Sequence, residues 1–217
     1  MPWQNNGDKM KATLLNYMGD DNTVVDAARV SFKKGHKEFT EAQNHKLIKY
    51  LADHGHYSPF GHCFASFHVK APVFVRAQLV KHEYLRMNEV SRRYVDDTPE
   101  FYHPEVWRSR AKDKKQGSGE SLKHYEDGGG WGLYGSQLML YETMIEDGIA
   151  PEMARMVLPQ SMYTEWFWSG SLDAFANMCN LRCKPDTQEE TRLIANQISE
   201  QMLEKFPVSW SELTKWK

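Results

Sequence analysis

Between His62 and Lys70 the sequence alternates, with Cys63, Ala65, Phe67 and Val69 on one side and His62, Phe64, Ser66 and His68 on the other. Successive side chains of an extended chain point to opposite faces, so this stretch is a strand whose apolar face another layer must cover. The period then changes at once. Pro72 sits where a first helical turn tolerates it, and Val73, Ala77 and Val80 keep helical spacing through His82. A second, aromatic strand, Met162 to Trp168, is likewise followed by a helix from about Leu172 to Arg182, with Leu172, Phe175 and Cys179 inward.

The remaining pattern fills in around these strands. Lys11 to Tyr17 reads as a short strand, and Thr23 as the cap of a small helix through Val30. Thr40 and Gln43 form a capping box ahead of Leu47, Ile48 and Leu51, with Phe39 placed as a staple, and Gly55 and Pro59 end that helix. Tyr134, Leu138, Tyr141 and Ile145 mark a helix face between Gly132 and Gly148, and Pro151 starts a helix that Pro159 ends. Thr187 and Glu190 form a second capping box, opening a helix with Leu193, Ile194, Ile198 and Met202 that stops before Pro207. Ala111 to Gly119 and Asp127 to Gly132 read as surface loops. A few separated strands among many helices give an α+β class, and 217 residues suit one core, so a single domain over 1–217 is expected.

A formal net charge of -2 argues against an overall nucleic-acid or membrane binder, so any basic patch is local. No apolar run approaches the roughly 20 residues that span a bilayer, and the first residues lack the apolar core of a signal peptide, which predicts a cytoplasmic protein. Three cysteines without a CxxC pair fit a reducing compartment. Cys179 and Cys183 can share a helix face, but nothing near them in sequence completes a ligand set, so no metal is expected. GxSxG and GxxxxGK[ST] are both missing, and no cysteine lies in an activating setting. If a nucleotide binds, side chains must hold its phosphates.

The stretch from Gln78 to Tyr94, QLVKHEYLRMNEVSRRY, is built for that task. Arg76 just before it and Lys81, Arg86, Arg92 and Arg93 within it supply positive charge, Glu83 and Glu89 negative, and Asn88 and Ser91 hydrogen bonds. A planar guanidinium pairs with phosphate oxygens through two hydrogen bonds, which makes Arg92 and Arg93 the leading candidates. Arg155 and Arg182 fall within apolar helical patterns, where each needs a carboxylate partner or an anionic ligand.

This stretch resembles the signature of flavin-dependent thymidylate synthases, Q-x-x-R-H-R-x(4)-N-E-x-S-x-R-Y, read here at Gln78, Lys81, His82, Glu83, Asn88, Glu89, Ser91, Arg93 and Tyr94. AARVSF at Ala27 to Phe32, HYSPFGH at His56 to His62, the KDKKQGSG loop, EMARMVLP at Glu152 to Pro159 and NLR at Asn180 to Arg182 extend the likeness along the chain. The resemblance implies a small, mostly antiparallel sheet flanked by helices, in a homotetramer with active sites between subunits. The implied reaction methylates dUMP to dTMP with FAD, taking a methylene from methylenetetrahydrofolate and reducing equivalents from NADPH. By motif position, Gln78, Glu89, Ser91, Arg92 and Arg93 contact the nucleotide, and Arg155 reaches it from another subunit. Arg182 is the catalytic residue, a cation against the uracil N3 and O2 edge that stabilises charge developing on the ring. Ser58, Lys81, His82, Glu83, Glu89, Ser171, Asp173 and Asn177 match positions that hold FAD.

Three positions depart from the pattern. Lys81-His82-Glu83 stands where the family has Arg-His-Arg, Asp173 where it has an arginine near the flavin, and Arg86 where it has a small or polar residue. Two other readings stand beside the main one. The first is a related enzyme acting on dCMP or making a hydroxymethyl product, and the second a non-catalytic nucleotide- or RNA-binding relative. Tyr163, Trp166, Phe167 and Trp168 are read as core packing rather than ring-stacking residues.

Overall fold

Strands β2 (Phe64–Pro72) and β6 (Tyr163–Ser171) pair antiparallel along their whole length, with Phe67 opposite Trp168 and Val69 opposite Trp166. In the computed structural model, which describes residues 10–112, 117–122 and 131–215, they form the centre of a four-stranded sheet of order β1-β2-β6-β3. The edges are β1 (Lys11–Met18) and β3 (Leu85–Glu89), and each neighbouring pair is antiparallel. Cys63, Ala65, Phe67 and Val69 are all buried, as alternation requires, and Phe175 meets both Phe67 and Trp168 edge-on.

Helices cover that apolar face. Helix α1 is Asp21–Arg29, α2 is Glu41–Asp53, α3 is Val73–Leu79, α4 is Trp131–Glu146 and α5 is Pro151–Ala154. Then α6 spans Leu172–Arg182, α7 Glu189–Lys205 and α8 Pro207–Leu213. Val24, Val25, Ile48, Phe175, Ile194, Ile198, Met202 and Trp210 join the sheet residues in one cluster. The outer edge of β1 is not left open. Gln197 and Gln201 of α7 accept from the Ala12 and Leu14 amides at 2.8 and 2.7 Å, replacing a ladder partner.

Several sequence expectations change. Asp20, not Thr23, caps α1; Thr23 occupies the third helical position, and its hydroxyl accepts from the Asp20 amide in return. The Thr40–Gln43 box is present, but Phe39 lies under the Arg29 guanidinium, 3.2 Å from its ring centre. Helix α3 stops at Leu79 rather than His82, because Tyr84 adopts φ +63 and reverses the chain into β3. A bulky residue is rare in that region, so no turn signal marks the strand in the sequence. Ser118 and Gly119, expected in a loop, belong to β5 (Ser118–Ser121), which pairs with β4 (Arg108–Arg110). Residues 113–116 and 127–130 of the two expected loops lie outside the described residues. Leu193, expected on the inner face of α7, is 44% exposed.

The second capping box is replaced by an ion pair. Thr187 donates to the Leu181 carbonyl at 3.0 Å, and Gln188 takes the N-cap position without a side-chain bond. Glu190, only 5% exposed, pairs instead with Arg108 and accepts from the Tyr102 hydroxyl at 3.2 Å. Arg108 reaches Glu189 as well, at 2.9 Å, so the β4 strand is tied to the start of α7 by charge.

Two outcomes follow from this packing. Arg108→Met leaves the Glu190 carboxylate buried without a counter-charge and lowers the unfolding free energy in urea by about 3–5 kcal/mol. At Gly170 a Cβ would collide with the Leu85 side chain and approach the Tyr84 carbonyl to 3.0 Å, so Gly170→Val displaces β3. Its cost, read in the same unfolding experiment, is about 1–3 kcal/mol.

Candidate active site

The β3 edge leads straight into a cleft of about 820 Å³. The Val90 amide donates to the Glu165 carbonyl at 2.9 Å, carrying the pairing one residue past β3, and a turn from Ser91 to Val95 then carries two consecutive arginines, of which Arg93 is exposed and Arg92 largely covered. Helix α3 forms another wall. Its first amides, of Val73 and Phe74, donate to the carbonyls of Met162 and Gln160 at 3.0 and 3.1 Å, which fixes the segment entering β6. Glu89, Ser91, Arg92, Arg93 and Arg155 all line this cleft, so one chain brings these five expected residues together.

Charge pairing decides which of them are available. Glu89 is held by Arg76 at 2.7 Å and accepts from the Thr164 hydroxyl at 2.8 Å. Asp97 pairs with Arg92 at 2.7 Å, Glu100 with Lys70 at 2.5 Å, and Glu165 lies 2.8 Å from His68. Every carboxylate lining the cleft therefore already has a partner. Arg92, named from the sequence as a leading anion ligand, is committed to Asp97 through both its side chain and its main-chain carbonyl. Arg93 and Arg155 have no carboxylate partner among the described residues. Arg93 Nε donates to Ser91 Oγ at 3.1 Å, and Arg155 Nε to the Glu152 carbonyl at 3.3 Å, leaving the Nη atoms of both free for an oxyanion. Arg155 is exposed on a tight turn after α5, not buried in an apolar helix.

Gln78 and Arg182 form a separate cluster. Arg182 Nε donates to His82 Nε2 at 3.0 Å, and its Nη2 donates to the Gln78 carbonyl at 3.2 Å. Both acceptors are neutral. Burial together with the Arg182 charge lowers the His82 pKa to about 4, and burial alone pulls that of Arg182 below the usual guanidinium range. His82 therefore stays neutral, with its proton on Nδ1. The Gln78 side chain turns to Gln188 at 2.6 Å and faces a second cavity of about 660 Å³ with Tyr102, Arg108 and Glu190.

The positions expected to hold the flavin gather where β6 becomes α6. Ser171 is the α6 N-cap, Asp173 lies in its first turn, and the exposed Asn177 follows one turn on. The Leu172 amide donates to the Cys63 carbonyl at 2.9 Å, docking this end on β2, with the exposed Ser58 in the preceding turn. Asp173 Oδ1 is buried without a hydrogen-bond partner, so it can accept from a ligand hydroxyl or amine. Lys81 and Glu83 are exposed in the turn before β3. A buried acceptor without a partner at this end suits a ligand that carries hydroxyls.

Sequence reading saw Arg76 only as a positive charge and named neither Thr164 nor Asp97. Arg76 and Thr164 position Glu89, and Asp97 shapes the Arg92 loop. Their partners lie across β6 or around a turn, beyond any local spacing rule. Nucleophilic thiols are ruled out among Cys63, Cys179 and Cys183: all three are buried, and burial pushes the Cys63 thiol up to about 12.

Residues 13–208 match the family described as "Thymidylate synthase complementing protein". The chain is 40% identical over 212 residues to the flavin-dependent thymidylate synthase of Thermus thermophilus, covering 94% of this chain and 75% of that protein. It is 38% identical over 206 residues to the Kosmotoga olearia enzyme of the same name, covering 91% and 86%. Among solved structures, the UMP/dUMP methylase PolB from Streptomyces cacaoi, bound with 5-Br dUMP, superposes with a TM-score of 0.85 at 28% identity, over 94% of each chain.

The Arg182–His82 contact has a measurable consequence. Burial and the Arg182 charge lower the His82 pKa to about 4, so an NMR titration is expected to find its midpoint there, and Arg182→Ala to raise it by removing the like charge. Since this folded pKa lies below the ordinary 6.5, the unfolded chain takes up the proton first. The contribution is fully present above pH 6.5 and is lost as pH falls towards 4.

Proposed function

The chain belongs to the flavin-dependent thymidylate synthases, and we propose that it methylates dUMP to dTMP with FAD, methylenetetrahydrofolate and NADPH. The observation that carries this assignment to named residues is the cleft whose carboxylates are all paired while Arg93 and Arg155 are not. In this reading the two guanidinium groups and the Ser91 hydroxyl bind the nucleotide 5′-phosphate, and the Arg92–Asp97 pair holds the loop that presents them. Glu89, fixed by Arg76 and Thr164, stands between the nucleotide and flavin positions.

Arg182 acts on the base. Held by two neutral acceptors, its charge is not cancelled by a carboxylate and faces the N3 and O2 edge of uracil, where negative charge develops as the ring is activated. His82 fixes the direction of that guanidinium, and Gln78 supports it through its main-chain carbonyl. FAD, when bound, supplies the hydride, so no enzyme thiol has to attack the ring. Ser58, Lys81, His82, Ser171, Asp173 and Asn177 are the residues that would hold it.

The separation of the Arg182 cluster from the phosphate cleft favours assembly from several copies. A homotetramer would bring Arg182 and Gln78 of one subunit towards the cleft of another. We treat residues 1–217 as one catalytic unit of that assembly, working in the cytoplasm. No described helix is long and apolar enough to cross a membrane.

The test is a product assay. Protein incubated with methylenetetrahydrofolate, NADPH and dUMP, UMP or dCMP yields dTMP from dUMP, identified by mass; a hydroxymethyl nucleotide, or turnover of dCMP alone, overturns the assignment. Cytosine is disfavoured because its N3 lacks the proton whose loss Arg182 assists. Arg93→Ala and Arg155→Ala each weaken dUMP binding about tenfold or more by calorimetry, a loss near 1.4 kcal/mol. Arg182→Lys keeps nucleotide binding better than kcat, because the planar cation works mainly in the transition state.

A further inference from the structure

Arg86 falls at an unassigned position of the motif stretch from Gln78 to Tyr94, and the sheet register shows where it points. Leu85 and Met87 pack against the core, so Arg86 and Asn88 project from the opposite face of β3. Arg86 stands across from Ser169 and Asn88 across from Phe167, and alternation along β6 puts Ser171 on the same side as Ser169. Ser171 in turn faces Phe64 of β2. Phe64 and Phe167 remain 42% and 39% exposed, so this face is open to a ligand at its α6 end. Ser66 and Ser169 join hydroxyls there at 2.8 Å.

Arg86 is exposed and has no carboxylate partner among the described residues. It lies three residues along β3 from Glu89, about 10 Å at strand rise, and is not part of the phosphate cleft. Charge settles its importance. From Lys81 to Arg86 the formal charges are +1 at Lys81, -1 at Glu83 and +1 at Arg86. Without Arg86 this segment sums to zero and offers no net attraction to a dianion.

We propose that Arg86 is the cation with which this chain holds the pyrophosphate of its flavin cofactor, on the open sheet face beside Ser169 and Ser171, in place of the charge lost at Glu83. The inference rests on the flavin-dependent reading of the protein. It makes Arg86 a cofactor-binding residue that the family motif does not mark, and it makes the Glu83 and Arg86 positions exchangeable in charge.

The experiment is an FAD titration of flavin-stripped protein, followed by flavin fluorescence at low and high salt. Arg86→Ala weakens FAD binding tenfold or more and flattens its salt dependence, while the thermal midpoint of the apoprotein stays that of the wild type because Arg86 is exposed. The double variant Glu83→Arg with Arg86→Ser recovers most of the affinity. Wild-type affinity in Arg86→Ala overturns the proposal alone. Failure of the wild-type chain to bind FAD overturns the flavin reading and this proposal with it. Loss in Arg86→Ala without recovery in the double variant shows that position, not charge, matters, and overturns the exchange.

Discussion

The pairing of β6 with β2 on one side and β3 on the other is the contact on which every proposed ligand group depends. Trp166 and Trp168 anchor β6 in the core against Val69 and Phe67, which fixes its height in the sheet. Gly170 then lets β3 approach closely enough to pair. Beyond its N-terminal end lies the cleft with Thr164 and Glu165, and beyond its C-terminal end lies α6 with Ser171, Asp173 and Arg182. One strand thus sets the spacing between a phosphate subsite, a cofactor face and a base-directed cation. A core that tolerates little movement is what such spacing needs.

Within that frame, specificity comes from which charges are already neutralised. Eight charged side chains of both signs crowd the cleft, and a count by sign alone would predict no preference for an anion. Pairing removes the ambiguity: three of the acids are bound locally to Arg76, Lys70 and Arg92 and the fourth lies beside His68, and the arginines left over are the ones that can take an incoming phosphate without first breaking an ion pair. The Arg108–Glu190 pair is likewise satisfied within the fold, tying β4 to α7.

Local pattern made the strongly periodic elements legible. The helix from Leu172 to Arg182 has the expected bounds, and the inward face of β2 is the expected one, because one buried side imposes a period that few other choices satisfy. Strand β3 was hidden for a physical reason: a tyrosine at positive φ makes its turn, and its outward positions, Arg86 and Asn88, are charged and polar. Glu190 has the spacing of a capping residue yet answers to Arg108, a partner whose nearness only the tertiary fold creates. Motif resemblance named Glu89, Ser91, Arg92, Arg93 and Arg155 together, and all five line one cleft. It could not divide them, since Arg92 and Arg93 are equivalent in sequence and opposite in commitment.

That division bears on the chemistry of Arg182. A carboxylate partner would hold its guanidinium more tightly, but it would also cancel the field that a reacting pyrimidine has to feel. A neutral imidazole and a main-chain carbonyl hold it in place and leave the charge intact. The arrangement requires His82 to resist protonation, and the burial and like charge that lower its pKa to about 4 provide that resistance. His82 therefore keeps its value in this chain even though both of its flanking arginines in the family triplet have been replaced. The replaced positions, Lys81 and Glu83, lie exposed in the turn and can drift while another cation on the same edge supplies the charge. The middle position cannot, because its ring nitrogen is the acceptor that aims Arg182.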